Sequence, residues 1–138
     1  MRARHVFALT SLVFLGVLAI SPAKNAFRPY HSLQQQFRKL GTARAHSLKE
    51  ALRYERMPVA IQQTWLPRLE GRVDRCTTCH LGTADPVMAG APEPFRLHPA
   101  TAHTPLAFDR FGCTSCHGGQ GAATSREEAH GIAEDAGP

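Results

Sequence analysis

Two copies of one short cysteine and histidine pattern stand in the second half of the 138-residue chain. They are Cys76-Thr77-Thr78-Cys79-His80 and, 37 residues later, Cys113-Thr114-Ser115-Cys116-His117. Cys-x-x-Cys-His is the attachment signature of c-type haem: two thiols add to the two vinyl groups of one porphyrin, and the histidine binds the iron. The repeat therefore predicts two covalently bound haem c groups. All four cysteines are the predicted thioether residues, and His80 and His117 are the predicted proximal iron ligands.

Other cysteine chemistry fits this pattern less well. Zinc held by two Cys-x-x-Cys pairs would not require a histidine after both, and the 33 residues between Cys79 and Cys113 exceed the usual interval. A thioredoxin-like redox pair needs a strand and a helix around it, whereas this half of the chain is rich in Gly and Pro. Because the two haems use every cysteine, no disulfide is predicted.

Three further histidines in the second half compete for the two distal iron positions. His130 is the first choice, since Ser125 and Glu128 form a capping box that starts a short helix and directs its imidazole. For the other iron, His98 is favoured over His103 because Pro99 restricts His98 to an extended backbone.

Met88 is a further alternative as a distal ligand. Histidine at both axial positions leaves no coordination site open for a substrate. The ligand inventory therefore favours an electron carrier over a haem enzyme or a ligand sensor.

Charge and apolar residues are divided unevenly along the chain. Up to Glu70 there are eleven basic and three acidic residues, a net charge of +8, whereas from Gly71 five basic face eight acidic residues, a net charge of −3. The second part has ten large apolar residues, nine of the eleven glycines and six of the ten prolines. That is too little for a core of its own, so we expect it to fold only with haem attached. Phe95, Phe108 and Phe111 are candidates for packing against haem, with an ordinary core role as the equal alternative.

The residues up to Glu70 must carry and position the predicted haem-binding part that begins at Gly71. An uncharged run from Val6 to Ala23 is long enough for a short membrane span, and it follows Arg2 and Arg4. An uncleaved anchor is favoured over a signal peptide cleaved after Ala23. Arginines before the span suit a cytoplasmic N-terminus.

Helical spacing of apolar residues continues after the apolar run. The pattern predicts an amphipathic helix from Phe27 that Gly41 interrupts, a second stretch from Leu48 to Met57 ended by Pro58, and a third short helix from about Val59 to Trp65. The basic faces of these helices either form their solvated side or dock on a larger partner or on anionic headgroups.

Three segments of the second half carry a resemblance to a known family. They look like the haem-binding modules of bacterial membrane-anchored multihaem c-type cytochromes, some of which are subunits of bc-type quinol-oxidising respiratory or photosynthetic complexes. The resemblance covers about the last 68 residues and implies His98 and His130 as distal ligands. The segments are Gly71 to Gly82, Phe95-Arg96-Leu97-His98-Pro99, and Phe111 to Gly121 continuing through Ala129-His130-Gly131.

These observations together predict a mostly α fold with extensive irregular loops and little or no sheet. Residues 1–23 form the anchor or signal segment, 24–70 an amphipathic helical connector, and 71–138 a small dihaem module on the periplasmic side of the bacterial inner membrane. The expected function is electron transfer from a quinol-oxidising donor to a periplasmic acceptor, with a soluble periplasmic shuttle as the alternative. Expected partners are the membrane, other subunits of the complex and a basic redox protein, with no nucleic acid.

Overall fold

The computed structural model describes residues 2–99 and 108–131. Three helices come first: α1 over Arg2–Ala26, α2 over Pro29–Arg44 and α3 over Leu48–Glu55. Two three-residue strands follow, β1 over Thr64–Leu66 and β2 over Arg72–Asp74. Loops and 3₁₀ turns make up most of the remainder, together with three short helices: α4 over Phe108–Phe111, α5 over Thr114–His117 and α6 over Arg126–His130.

The predicted fold class is confirmed in its coarse form. The described chain is mostly helical, its sheet is a single antiparallel pair, and it begins with an apolar helix. The organisation of the second half around two haems stays a prediction.

Helix α1 is long and apolar enough to cross a membrane. Its candidate span covers 22 residues, Ala3–Lys24, and its apolar window has no buried part. A signal sequence has the same properties, so the finding supports an N-terminal membrane-directed segment without separating an anchor from a signal.

The core lies between the α2–α3 hairpin and a loop of the second half. The Phe37 ring packs on Tyr54 and Phe95, with centroid separations of 5.7 and 5.6 Å, and Met88 and Ala91 complete the buried cluster. Within residues 71–99 and 108–131, the second half thus shares its buried apolar cluster with the connector. Of the two alternatives for Phe95, the structure shows the ordinary core role.

The prediction that Gly41 interrupts the helix is wrong. Helix α2 runs through Gly41 to Arg44, and Gly41 is buried against the ring of Tyr54. A Cβ atom at this position would overlap that ring. Gly41 therefore serves close helix packing, and the cost of a glycine inside a helix is offset by the contact it permits.

The predicted third helix from Val59 to Trp65 is also wrong. Side chains from elsewhere take the backbone groups that such a helix would need: the Gln34 amide bonds the N–H and carbonyl of Ala60, and the Thr78 hydroxyl bonds those of Gln62. The chain stays extended and ends in β1. Similarly, α3 ends at Glu55, two residues before the predicted end at Met57.

The β-hairpin joins the connector to the second half. Thr64 pairs with Asp74 and Leu66 with Arg72, so one strand comes from each side of the predicted boundary after residue 70. The register leaves Asp74 buried at the end of β2, two residues before the first motif.

Candidate functional site

Both Cys-x-x-Cys-His motifs adopt the same tight turn. In each motif the carbonyl of the first cysteine, Cys76 or Cys113, accepts hydrogen bonds from the backbone N–H groups of the second cysteine and of the histidine, at 3.2 and 3.0 Å. The turn therefore gathers two thiols and one imidazole on five residues of backbone. This local arrangement is what the spacing of the two motifs predicts.

Each motif histidine faces a second histidine from a distant part of the chain. The ring centroids of His80 and His130 lie 6.0 Å apart, with an angle of 83° between their planes. Those of His117 and His98 lie 5.8 Å apart, at 84°. The structure thus brings each proximal candidate together with one of the two favoured distal candidates, and it does so crosswise: the first motif faces a histidine beyond the second motif.

These separations fit an iron between the rings. Metal–nitrogen bonds of about 2 Å and an imidazole ring radius of about 1 Å put the centroids of two imidazoles on opposite sides of one metal about 6 Å apart. Rotation about the axis through the metal leaves the angle between the planes free, so near-perpendicular rings are compatible with this arrangement. The residues present therefore fit two bis-histidine iron sites.

Of the other two distal candidates, only Met88 lies within the described residues. His103 lies outside the described residues. Met88 is fully buried in the core cluster with Phe37 and Tyr54. Its thioether therefore belongs to the packing between the connector and the second half.

Helix α6 presents His130 as its last residue. The Ser125 hydroxyl accepts a hydrogen bond from the Glu128 N–H at 3.3 Å, so the predicted N-cap is confirmed. His98 is held by its own N–H, which donates to the Thr83 carbonyl at 3.1 Å, and its ring lies 5.8 Å from that of Phe108.

Asp74 holds the first residues of both motifs, a contact that the motif spacing does not reveal. Its Oδ1 accepts from the Cys76 N–H at 3.0 Å, and its Oδ2 accepts from the N–H groups of Cys113 and Thr114 at 2.7 and 3.0 Å. The Thr114 hydroxyl adds a bond of 3.1 Å. A local turn of the Asx type is foreseeable from an aspartate two residues before Cys76, but the bonds across 39 residues are not.

Gln34 attaches the first motif to helix α2 and was likewise missed. Its side chain is fully buried, and its Nε2 donates to the carbonyls of Ala60 at 2.7 Å and Thr78 at 2.9 Å, while its Oε1 accepts from the Ala60 N–H at 2.8 Å. A glutamine between apolar residues of a helix gives no signal that a motif residue 44 positions later is its partner.

Two titratable groups of the site have shifted pKa values: the predicted iron ligand His80 and the buried Asp74. Burial lowers the pKa of His80, and the nearby His130 lowers it further, so the neutral imidazole that binds a metal is favoured. Burial would raise the pKa of Asp74, but its bonds to the backbone N–H groups of Thr114, Cys76 and Cys113 outweigh burial and hold that pKa below its usual value. The Asp74 carboxylate is therefore ionised at neutral pH.

The thiols of Cys76 and Cys113 lie close to one another and to Asp74. Their sulfur atoms and one carboxylate oxygen are all within 4.8 Å of each other. The contact with Cys113, then burial and the carboxylate, raise the pKa of Cys76. The two predicted attachment sites are thus adjacent at their first cysteines.

Comparison of the chain with protein-family models, with curated proteins and with solved structures finds no match.

Proposed function

We propose that the chain is a membrane-anchored dihaem c-type cytochrome, which passes single electrons from a quinol-oxidising donor to a periplasmic acceptor. The observation that carries the proposal is the double pairing of histidines, His80 with His130 and His117 with His98. Each pair has the spacing of two imidazoles on one iron. When bound, haem c supplies an iron that alternates between the ferric and ferrous states and so carries one electron.

The residues of the chain have separate tasks in this proposal. Cys76 and Cys79 would hold one haem through thioether bonds, and Cys113 and Cys116 would hold the other. His80 and His117 would be the proximal iron ligands, and their partners His130 and His98 would be the distal ligands. The short turns keep the two thiols and the imidazole of each motif on five consecutive residues of backbone.

The same pairing favours a carrier over a haem enzyme. A peroxidase or a ligand sensor needs an open coordination position, whereas two histidines per iron close both axial positions. His98 and His130 therefore exclude exogenous ligands as well as supplying donor atoms.

The membrane and partner parts of the proposal rest on α1 and on charge. Helix α1 contains a 22-residue candidate membrane span and is followed by a basic connector. The net charge of −3 from Gly71 onwards becomes more negative with four haem propionates, so a basic periplasmic redox protein would be attracted to this part. A soluble periplasmic shuttle is the second candidate, because α1 has the properties of a signal sequence as well.

The first test is the intact mass of the full chain purified from membranes of a host that matures c-type cytochromes. We expect the mass of the full chain plus two haems. A chain that lacks residues 1–23 but carries two haems would replace the anchored cytochrome by the soluble shuttle. A mass without haem would overturn the proposal.

The second test concerns the closed iron sites. Carbon monoxide should leave the reduced spectrum of the wild-type protein unchanged, whereas His130→Ala and His98→Ala should each open one iron and give a carbon monoxide difference spectrum. His46→Ala, at an exposed position between α2 and α3, is the matched control and should behave like the wild type. Carbon monoxide binding by the wild-type protein would favour the enzyme or sensor instead.

A further inference from the structure

Asp74 hydrogen-bonds both haem-attachment turns, beside the direct approach of the Cys76 and Cys113 thiols. It is 2% exposed, and both of its carboxylate oxygens are used: one by the first motif and the other by the second. Four donors converge on it, of which three belong to Cys113 and Thr114. Its position is determined by β2, which ends at Asp74 and pairs with β1.

The backbone around Asp74 is shaped to admit this contact. Gly112, immediately before the second motif, has a φ of +66°, and a Cβ atom there would lie 2.7 Å from Asp74 Oδ2 and 2.8 Å from Leu66 Cδ1. After the second motif, the Gly121 carbonyl accepts a bond of 2.8 Å from the Arg75 N–H. The second motif is thus joined to the β-hairpin on both of its sides, and Asp74 is the central contact.

The charge of Asp74 is balanced by N–H and O–H dipoles. Within residues 2–99 and 108–131, the ion pairs join Arg53 to Asp85 and Arg96 to Glu93, and none involves Asp74. A buried anion without a counter-cation acts on neighbouring charges more strongly than an exposed one, because the protein interior screens it less than water does.

We propose that Asp74 is a positioning residue: because it bonds both motifs, attachment of haem at the second motif depends on this contact with the first motif. Its buried negative charge also lowers the reduction potential of both haems. The inference rests on the proposed function, since it concerns the two haems assigned there. A fixed anion beside each site favours the ferric state, which carries one more positive charge than the ferrous state. The hydrogen bonds to Cys113 and Thr114 hold the second turn in the shape in which its thiols are presented.

The test uses the full chain in a host that matures c-type cytochromes, with Asp74→Asn as the main variant. Its side chain is nearly isosteric, but it carries no charge and faces the N–H donors with an NH₂ group. We expect the fraction of chains with two haems to fall severalfold. In the two-haem chains that remain, the reduction equilibrium of both haems should shift about tenfold towards the ferrous state, about 59 mV for a one-electron couple.

Trypsin cleavage identifies which motif has lost its haem. Cleavage after Arg75, Arg96, Arg110 and Arg126 places the first motif on residues 76–96 and the second on residues 111–126. In single-haem chains of the Asp74→Asn variant, the haem should be on the first peptide. Single-haem chains that carry haem equally on either peptide would overturn the positioning role.

Two further variants separate charge from hydrogen bonding. Asp109→Asn removes the same charge at an exposed position of α4, and it should keep two haems and wild-type potentials. Thr114→Val removes one bond to Asp74 and keeps the charge, so it should reduce haem occupancy at the second motif without moving the potentials.

The positioning role remains testable if Asp74→Asn yields no mature protein. Thr114→Val then carries the test of positioning, and a haem content equal to that of the wild type would contradict it. Wild-type potentials in an Asp74→Asn protein that keeps two haems would contradict the role of the charge. Failure of the proposed function is distinct from either result, because the wild-type chain itself would then lack haem.

Discussion

The two Cys-x-x-Cys-His turns have the same local geometry but different surroundings. The first turn lies beside the core: Thr78 is 2% exposed and is bonded by Gln34 and by the backbone of Gln62. In the second turn Cys116 and His117 are exposed, and the described residues of α4, α5 and α6 include no buried side chain. Polar contacts, above all those to Asp74, hold the second turn.

The difference indicates that the two turns are stabilised in different ways, the first by packing and the second mainly by hydrogen bonds. The first turn is joined to the connector and the shared core by the buried contacts of Thr78 and Gln34. The second has hydrogen bonds but little apolar burial, and burial is the larger source of stability in a folded chain. We therefore expect the second turn to depend more strongly on haem and on Asp74 than the first.

Removing one core side chain next to the first turn should have the largest effect on stability. Phe37→Ala deletes a ring that contacts both Tyr54 and Phe95, and should lower the free energy of unfolding by about 3–5 kcal/mol. Thermal or denaturant unfolding of the holoprotein measures it. Leu48→Ala on α3 is the control: it is 76% exposed and should change stability by less than about 0.5 kcal/mol. Equal losses in the two variants would refute the packing of the connector against the second half.

Cutting the link between α2 and the first turn comes next. Gln34→Leu leaves the buried Thr78 carbonyl without its donor, at a cost of roughly 1–3 kcal/mol, whereas the backbone groups of Ala60, an exposed residue, can bond to water instead. Hydrogen exchange should speed up over residues 60–80 and change little over residues 113–131. Gln35→Leu, the exposed neighbour on the same helix, should leave both regions unchanged.

A smaller effect should come from the Tyr54 hydroxyl, which donates to Asp85 at 2.7 Å. Tyr54→Phe keeps the ring against Phe37 and loses this bond, at a cost of about 1 kcal/mol at neutral pH. Burial, and then the bond to Asp85, raise the pKa of Tyr54 in the folded state. A group whose pKa is raised by folding stabilises the protein below its unfolded pKa, about 10, and loses that contribution as the pH rises further.

The pH dependence of the stability difference between wild type and Tyr54→Phe therefore tests the bond from Tyr54 to Asp85 directly. The stability difference between wild type and Tyr54→Phe should be constant from pH 7 to 9 and should shrink above about pH 10. Melting curves at pH 8 and pH 11 would measure it. A difference that grows in alkali would mean that Tyr54 is not held in its protonated form by Asp85.

The last expected effect lies in the second region, and it is similar in size to that of Tyr54→Phe but confined to one short helix. Ser125→Ala removes the N-cap of α6 and should cost about 1 kcal/mol of local helix stability. Faster exchange of the Glu128 amide would report it, and Ser125→Asp should restore protection because aspartate caps a helix equally well. Exchange that is identical in Ser125→Ala and wild type would show that the cap does not order the segment carrying His130.

The sequence predicted local structure correctly where the interacting residues are close neighbours in the chain. Ser125 and Glu128 lie three residues apart, and the predicted cap is present. The apolar run before Lys24 forms one helix, as its length and composition require. In each motif the cysteines and the histidine depend on a single turn of backbone.

The predictions failed where a distant partner overrules a local preference. Gly41 looks like a helix breaker in isolation, but the ring of Tyr54 needs its missing side chain. Residues 59–65 have helical spacing, but Gln34 and Thr78 bind backbone groups that a helix would use. Neither contact is visible without knowing which segments lie side by side.

The candidate site likewise combines features that depend on short spacing with features that depend on how distant segments pack. The amino-acid sequence by itself determined the inventory of groups: four thiols and two motif histidines in the pattern that predicts haem attachment, with further histidines as candidates for the distal positions. Only the tertiary structure decided that His80 faces His130, that His117 faces His98, and that Asp74 bonds both motifs. Side-chain type and short spacing are local properties, whereas pairing across 19 to 50 residues depends on how the whole chain packs.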